Sequence, residues 1–287
     1  MLNKLHKKES DEKPAMTADE IREFREKERM DSVCPDQSSS KEAIYTTLNY
    51  IVAFAAGAVI LVAMYYESML ISYLRSFILP HLSMIDDSAG FLADMLTAIL
   101  NLILFTVIAV AFGFALDINY SGHGRPDEVW KKYIKFILPA AFGSCFIYVV
   151  MRHLIAGGSF SVSGTVLSRC LYYFNMIAVT PAANILLYLV LPSAVIRMLL
   201  TVVSDTKERA ELPLTVVSTL IMALSLLGIT FNHIETYGLA ITLFTLIQSA
   251  ACSLLYHRTN VIRYTILLYS GVSALYLLLA ALMNSVL

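Results

Sequence analysis

The chain has 287 residues, 57% of them hydrophobic and only 15% charged. A soluble domain carries roughly 45–50% apolar and about 25% charged residues, so this composition excludes a water-soluble globular fold and points to a lipid bilayer. The formal net charge of −1 offers no basic field for a nucleic acid, so none is expected as a partner.

Charge is concentrated at the start. Met1 to Glu42 holds nine of the 21 Lys and Arg and eleven of the 22 Asp and Glu. This divides the chain into a charged tail and linker, residues 1–43, and a membrane domain, residues 44–287. The charged start lacks the early apolar run of a cleavable signal, so the first span is expected to serve as the targeting signal. Within the tail, Thr17-Ala-Asp-Glu20 has the spacing of a capping box, and a short solvated helix is predicted from Ala18 to Met30. Val33 to Lys41, with Pro35 and three consecutive serines, reads as a linker.

Crossing roughly 30 Å of hydrocarbon takes about 20 apolar residues in a helix. The sequence offers Tyr45 to Tyr66, Phe91 to Leu116, Tyr133 to Ile155, Val166 to Val203, Leu212 to Phe231, Tyr237 to Tyr256 and Tyr264 to Met283. The fold class is therefore all-α, a polytopic bundle of seven transmembrane helices. Eight is the alternative count, reached if Ser68 to Ile85 crosses instead of lying in the interface, or if the fourth segment splits. Pro181 and Pro192 interrupt that segment, which reads as one kinked span or two short helices.

Loop charge selects seven. Arg125, Lys131 and Lys132, then Lys207 and Arg209, then Arg258 and Arg263 all fall on the tail's side; the opposite loops hold little beyond Arg75 and Arg152. Positive charge stays on the cytosolic side, so the amino terminus is expected in the cytosol and the carboxyl terminus outside, in a plasma-membrane protein.

Polar groups at membrane depth are costly and so are candidates for function. Asp94 and Asn101 lie seven apart in the second span, Asn175, Asn184 and Arg197 in the fourth, Asn232, His233 and Glu235 at the end of the fifth, and Gln248 in the sixth. The amides are expected to hydrogen-bond between helices, and Arg197 to reach for the headgroups. Cys34, Cys145, Cys170 and Cys252 are scattered and read as packing residues. Zinc needs at least three converging ligands, and His233 is the lone membrane-depth histidine on this reading, so no metal or other cofactor is expected. HExxH, GxSxG, P-loop and GxGxxG patterns are absent.

From Ile177 onward the chain resembles the CPBP family of intramembrane proteins, which includes the type II CAAX prenyl proteases. "TPAANILLYLVLP" keeps the frame of the family's first motif through Pro181 and Tyr188, with Asn184 and Ile185 at the places of its glutamates and Leu189 at the place of its arginine. "GITFNH" supplies His233 at the second motif. "LLYHRTNVIRYTILLYSGVSAL" matches a conserved turn at Tyr256, Arg258, Thr259 and Asn260, then puts Tyr269 and Ser273 at the places of a His and an Asn. The 36 residues from His233 to Tyr269 match the family spacing.

The resemblance implies the helix arrangement of an intramembrane protease, with Asn184, His233, Tyr269 and Ser273 at the catalytic positions. An amide cannot serve as the base that a glutamate supplies, and Tyr and Ser are poor metal ligands beside His. The expected function is therefore that of an inactive relative binding or regulating another membrane protein or a peptide. Two alternatives stand beside it: an active endopeptidase that uses zinc and recruits Glu235 or Glu208 beside His233, and a small-solute transporter lined by Asn175 and Asn184.

Overall fold

The computed structural model describes residues 35–82, 91–112, 127–156, 165–203, 207–230 and 234–286. The predicted helix at Ala18 to Met30 lies outside them. Helix α1 spans Pro35–Ile78 and ends in a 3₁₀ turn, Leu79–Leu82; α2 is Phe91–Phe112 and α3 Asp127–Ala156. The fourth span is built from α4 (Val166–Phe174), a π turn (Asn175–Val179), α5 (Thr180–Ile185), a second π turn (Leu186–Val190) and α6 (Leu191–Val203). Helices α7 (Lys207–Thr230), α8 (Ile234–Thr259) and α9 (Ile262–Val286) follow.

Among the described residues, seven helical stretches are long and apolar enough to cross a bilayer: Ile44–His81, Asp94–Ala111, Ile134–Leu154, Val166–Val202, Glu211–Gly228, Gly238–Thr259 and Ile262–Met283. The chain is a polytopic helical membrane protein. By compactness it divides into Met1–Thr47 and Leu48–Leu287.

Two expectations are corrected at α1. Pro35 to Lys41 is helical, not a linker; a proline fits a first helical turn, where its missing N–H has no intrahelical role. Ser68 to Leu82 does not form a separate span or interfacial helix. It continues α1, so the first crossing is drawn from 38 residues.

The fourth span is the most buried of the seven, at 56%. Ile185, Leu189 and Val190 are fully enclosed in a core shared with Phe105 of α2, Cys145 of α3, Met222 of α7, Cys252 of α8 and Val272 of α9. A second cluster joins Ala53 of α1 to Ile196 and Leu200 of α6 and Leu214, Val217 and Ile221 of α7. Helix α8 lies along both α3 and α7. Cys252, Ser249 and Ser253 on α8 and Ala141 and Cys145 on α3 have no exposed surface, and small residues of this kind let helix backbones approach closely where the hydrophobic effect gives no drive. Cys170 is exposed, so packing accounts for two of the three described cysteines.

The prolines of the fourth span do not divide it: the backbone stays helical from Val166 to Val203. Each π turn ends just before one: Asn175–Val179 before Pro181, and Leu186–Val190 before Pro192. A proline clashes with the carbonyl four residues back and cannot donate to it. Widening the preceding turn resolves both problems: the Thr180 N–H bonds the Asn175 carbonyl and the Leu191 N–H the Leu186 carbonyl, each five residues back.

Local signals set the ends. Thr165 caps α4, its Oγ1 accepting from the Ser168 N–H at 3.2 Å. Between α8 and α9 the turn is shorter than the expected loop from His257 to Arg263. His257 and Arg258 still belong to α8, and Asn260 reverses the chain with φ of 52°, its N–H reaching the Tyr256 carbonyl at 2.7 Å. Asn is among the few residues that adopt this left-handed conformation readily.

Candidate functional site

The polar residues of the fourth span form a seam inside the bundle, and its neighbours supply partners. Asn184, on α5, donates from Nδ2 to the Tyr269 hydroxyl of α9 at 3.4 Å. One turn further on, the Tyr188 hydroxyl accepts from Asn101 Nδ2 of α2 at 3.5 Å. Asn175 is 1% exposed; its Oδ1 accepts from the Thr180 hydroxyl at 3.3 Å, while its Nδ2 has no hydrogen-bond partner among the described residues. Both π turns carry a seam residue, Asn175 in the first and Tyr188 in the second. Such turns recur at functional positions because they re-aim side chains that a regular helix would send elsewhere.

Of the four positions singled out from the sequence, Asn184 and Tyr269 therefore meet. Ser273 lies one turn along α9 from Tyr269 and is half-buried. His233 lies outside the described residues, as do the side chains of Glu208 and Glu235. The Asn184–Tyr269 pair is neutral and can hold or orient a polar group by hydrogen bonds. Neither side chain can act as a carboxylate base. No three His, Cys, Asp or Glu side chains gather as metal ligands among the described residues.

The other membrane-depth groups divide by role. Gln248 stays within its own helix, its Nε2 at 4.0 Å from Cys252 Sγ. Asp94 is exposed in the first turn of α2, where the helix dipole favours a negative charge. Arg197 does not simply extend towards headgroups: it is half-buried, with Nη1 3.5 Å from Asn260 Oδ1, and so ties α6 to the α8–α9 turn.

Three polar groups were not among the membrane-depth candidates read from the sequence. His257 Nε2 lies 3.4 Å from Ser193 Oγ, which is also 3.0 Å from Ser218 Oγ. The pair has the residue types of a nucleophile and its base, but Ser193 is 1% exposed and His257 Nδ1 is buried without a partner among the described residues. It lacks both substrate access and the group that would orient the imidazole, and it reads as a polar tie between α6, α7 and α8. Arg152 on α3 donates to the Tyr276 hydroxyl of α9 and lies 5.9 Å from that ring's centre. Tyr148 stacks on Phe244 at 4.8 Å beside them.

Glu67 is the third. It falls on the inward stripe of α1 that includes Asn49, Ala53, Gly57, Ile60, Met64 and Ile71, at helical spacing. Both its carboxylate oxygens are buried and have no hydrogen-bond partner among the described residues. The sequence reading ended the first span at Tyr66 and so never counted Glu67 as a membrane-depth group; the three-and-four spacing of that stripe, followed past Tyr66, is the signal that points to it.

No known protein family, curated protein or solved structure matches this chain.

Proposed function

We propose that this protein is a non-proteolytic membrane protein, built on the helix arrangement of the CPBP proteases, that binds or regulates another membrane protein or a peptide through its intramembrane polar seam. The Asn184–Tyr269 hydrogen bond carries this reading. The resemblance aligns these two positions with the base and a histidine of the proteases, and they are neighbours here despite lying 85 residues apart in the chain. Groups that would have to activate water are replaced by a neutral pair. The side chains that remain can hydrogen-bond to a backbone or a polar side chain entering from the bilayer.

The test is direct. Detergent-purified protein is assayed for bound zinc and for cleavage of a prenylated CAAX peptide, with His233→Ala in parallel. The expected result is no cleavage by either protein. Stoichiometric zinc together with cleavage lost in His233→Ala would overturn the reading and favour the active endopeptidase. A small-solute transporter is a second reading, favoured by the two π turns that carry Asn175 and Tyr188. It requires water to reach the seam from one membrane face.

A further inference from the structure

Positive charge gathers at the tight turn between α8 and α9. Arg258 stands two residues before Asn260 and Arg263 three residues after it, so chain geometry alone keeps their Cα atoms within about 8 and 11 Å of that of Asn260. Arg197 comes to the same turn from α6, its Nη1 3.5 Å from Asn260 Oδ1. The turn is firmly seated. Thr259, Val261 and Ile262 are buried, the Asn260 N–H bonds the Tyr256 carbonyl at 2.7 Å, and Thr259 Oγ1 donates to the Leu255 carbonyl at 2.7 Å.

The three arginines are met by less negative charge than they carry. Glu211 bridges Arg258 at 3.3 Å, but no carboxylate pairs with Arg197 or Arg263 among the described residues. Arg197 is half-buried and bonded to a neutral amide oxygen. Arg263 is exposed, its guanidinium carbon 5.1 Å from the centre of the Tyr264 ring. A half-buried guanidinium has given up part of its water and keeps N–H donors beyond the one given to Asn260. What the group lacks is an anion.

Position selects which anion. One apolar span ends at Thr259, the next begins at Ile262, and Arg197 lies five residues before the end of a third at Val202, so the turn sits where apolar helix gives way to the headgroup layer. Tyr264 has the amphipathic ring of that layer. The fork of a guanidinium matches the paired oxygens of a phosphate, and phosphate is the anion phospholipids carry at this depth. A choline headgroup brings its own cation, so the excess positive charge favours a headgroup that is negative overall.

We propose that Arg197 and Arg263, set around the Asn260 turn, bind the phosphate of an anionic phospholipid, with phosphatidylglycerol as the probe. A lipid held there reinforces the tie between α6 and the α8–α9 turn. The site does not depend on what Asn184 and Tyr269 bind.

The experiment follows thermal unfolding of the purified full-length protein in a neutral detergent, titrated with phosphatidylglycerol or with phosphatidylcholine of the same acyl chains. Phosphatidylglycerol is expected to raise the wild-type Tm saturably, by about 4 °C at ten times its Kd, and phosphatidylcholine by less than half as much. Arg197→Gln is expected to lose the difference between the two lipids. Lys135→Gln, which removes an exposed charge from α3, is expected to keep it. Should Arg197→Gln fail to fold, Arg263→Gln at an exposed position carries the test, with the same loss expected. Native mass spectrometry of the wild-type protein, showing phosphatidylglycerol retained in preference to phosphatidylcholine, gives a measurement independent of any variant. The proposal is refuted if the two lipids stabilise wild type equally, if the arginine variant keeps the difference, or if Lys135→Gln loses it as fully. An equal Tm rise from inorganic phosphate alone assigns the arginines to a free anion and also overturns the lipid site.

Discussion

At the scale of single residues, the amides of this bundle act mainly as interhelical connectors. Asn184 and Asn101 each reach a tyrosine on or across from the fourth span, and Asn260 both turns the chain and receives Arg197. Bonds of this type in membranes contribute about 0.6 kcal/mol, since the separated helices also find partners. A double-mutant cycle of Asn184→Ala and Tyr269→Phe, read by denaturant unfolding in mixed micelles, is therefore expected to give a coupling near that value. A coupling above about 2 kcal/mol would mean that the pair belongs to a larger cooperative network. The identity of the seam residues was legible in the sequence because Asn in an apolar run stands out. Their pairing was not legible from the residues alone: Asn184 meets Tyr269 across 85 residues of chain, and Asn101 meets Tyr188 in a second π turn whose form Pro192 does not by itself announce. His257 was hidden for a different reason. Beside Arg258 it reads as loop, and only the compact turn at Asn260 draws it back into α8.

At the scale of elements, α1 meets α7 through a glycine. A Cβ added at Gly57 would come within 2.7 Å of Val217 Cγ1, and Val217 is 2% exposed and β-branched, so its χ1 is restricted in a helix. Gly57→Leu is expected to cost about 1–3 kcal/mol through overpacking, seen as a lower Tm in detergent. Gly143→Ala on α3 serves as the control, because an added Cβ there meets nothing within 4 Å. Equal Tm losses in both would show that α1 does not seat against α7 through this contact. The fourth span illustrates how far sequence carries an element. Pro181 and Pro192 announce an irregularity, and a kink is the usual consequence. What the prolines alone do not reveal is that a π turn can absorb the missing hydrogen bond and keep the chain helical through both positions.

At the scale of the molecule, the seven crossings were legible because apolar length is a strong signal and the bilayer fixes it. Where the first crossing ends was not legible, since apolar residues continue past the thickness that lipid demands. Orientation is a separate expectation that rests on the Lys and Arg of the loops. A cysteine at Arg263 and one at Thr165, each exposed, in a background lacking Cys34 and Cys170, are expected to react with a membrane-impermeant maleimide from opposite faces, with Arg263 labelled from the cytosolic side. Labelling of both from one face would contradict the seven-span topology. The 38 residues of the first span amount to about 57 Å of helix, nearly twice the roughly 30 Å of an average hydrocarbon layer. A helix that long must lean steeply or stand clear of the lipid at one end, and either posture makes its fit sensitive to the membrane around it. Thick, sterol-rich bilayers relieve the excess and thin ones aggravate it. The packing of α1 against α7 at Gly57 and Val217 is therefore expected to respond to lipid thickness.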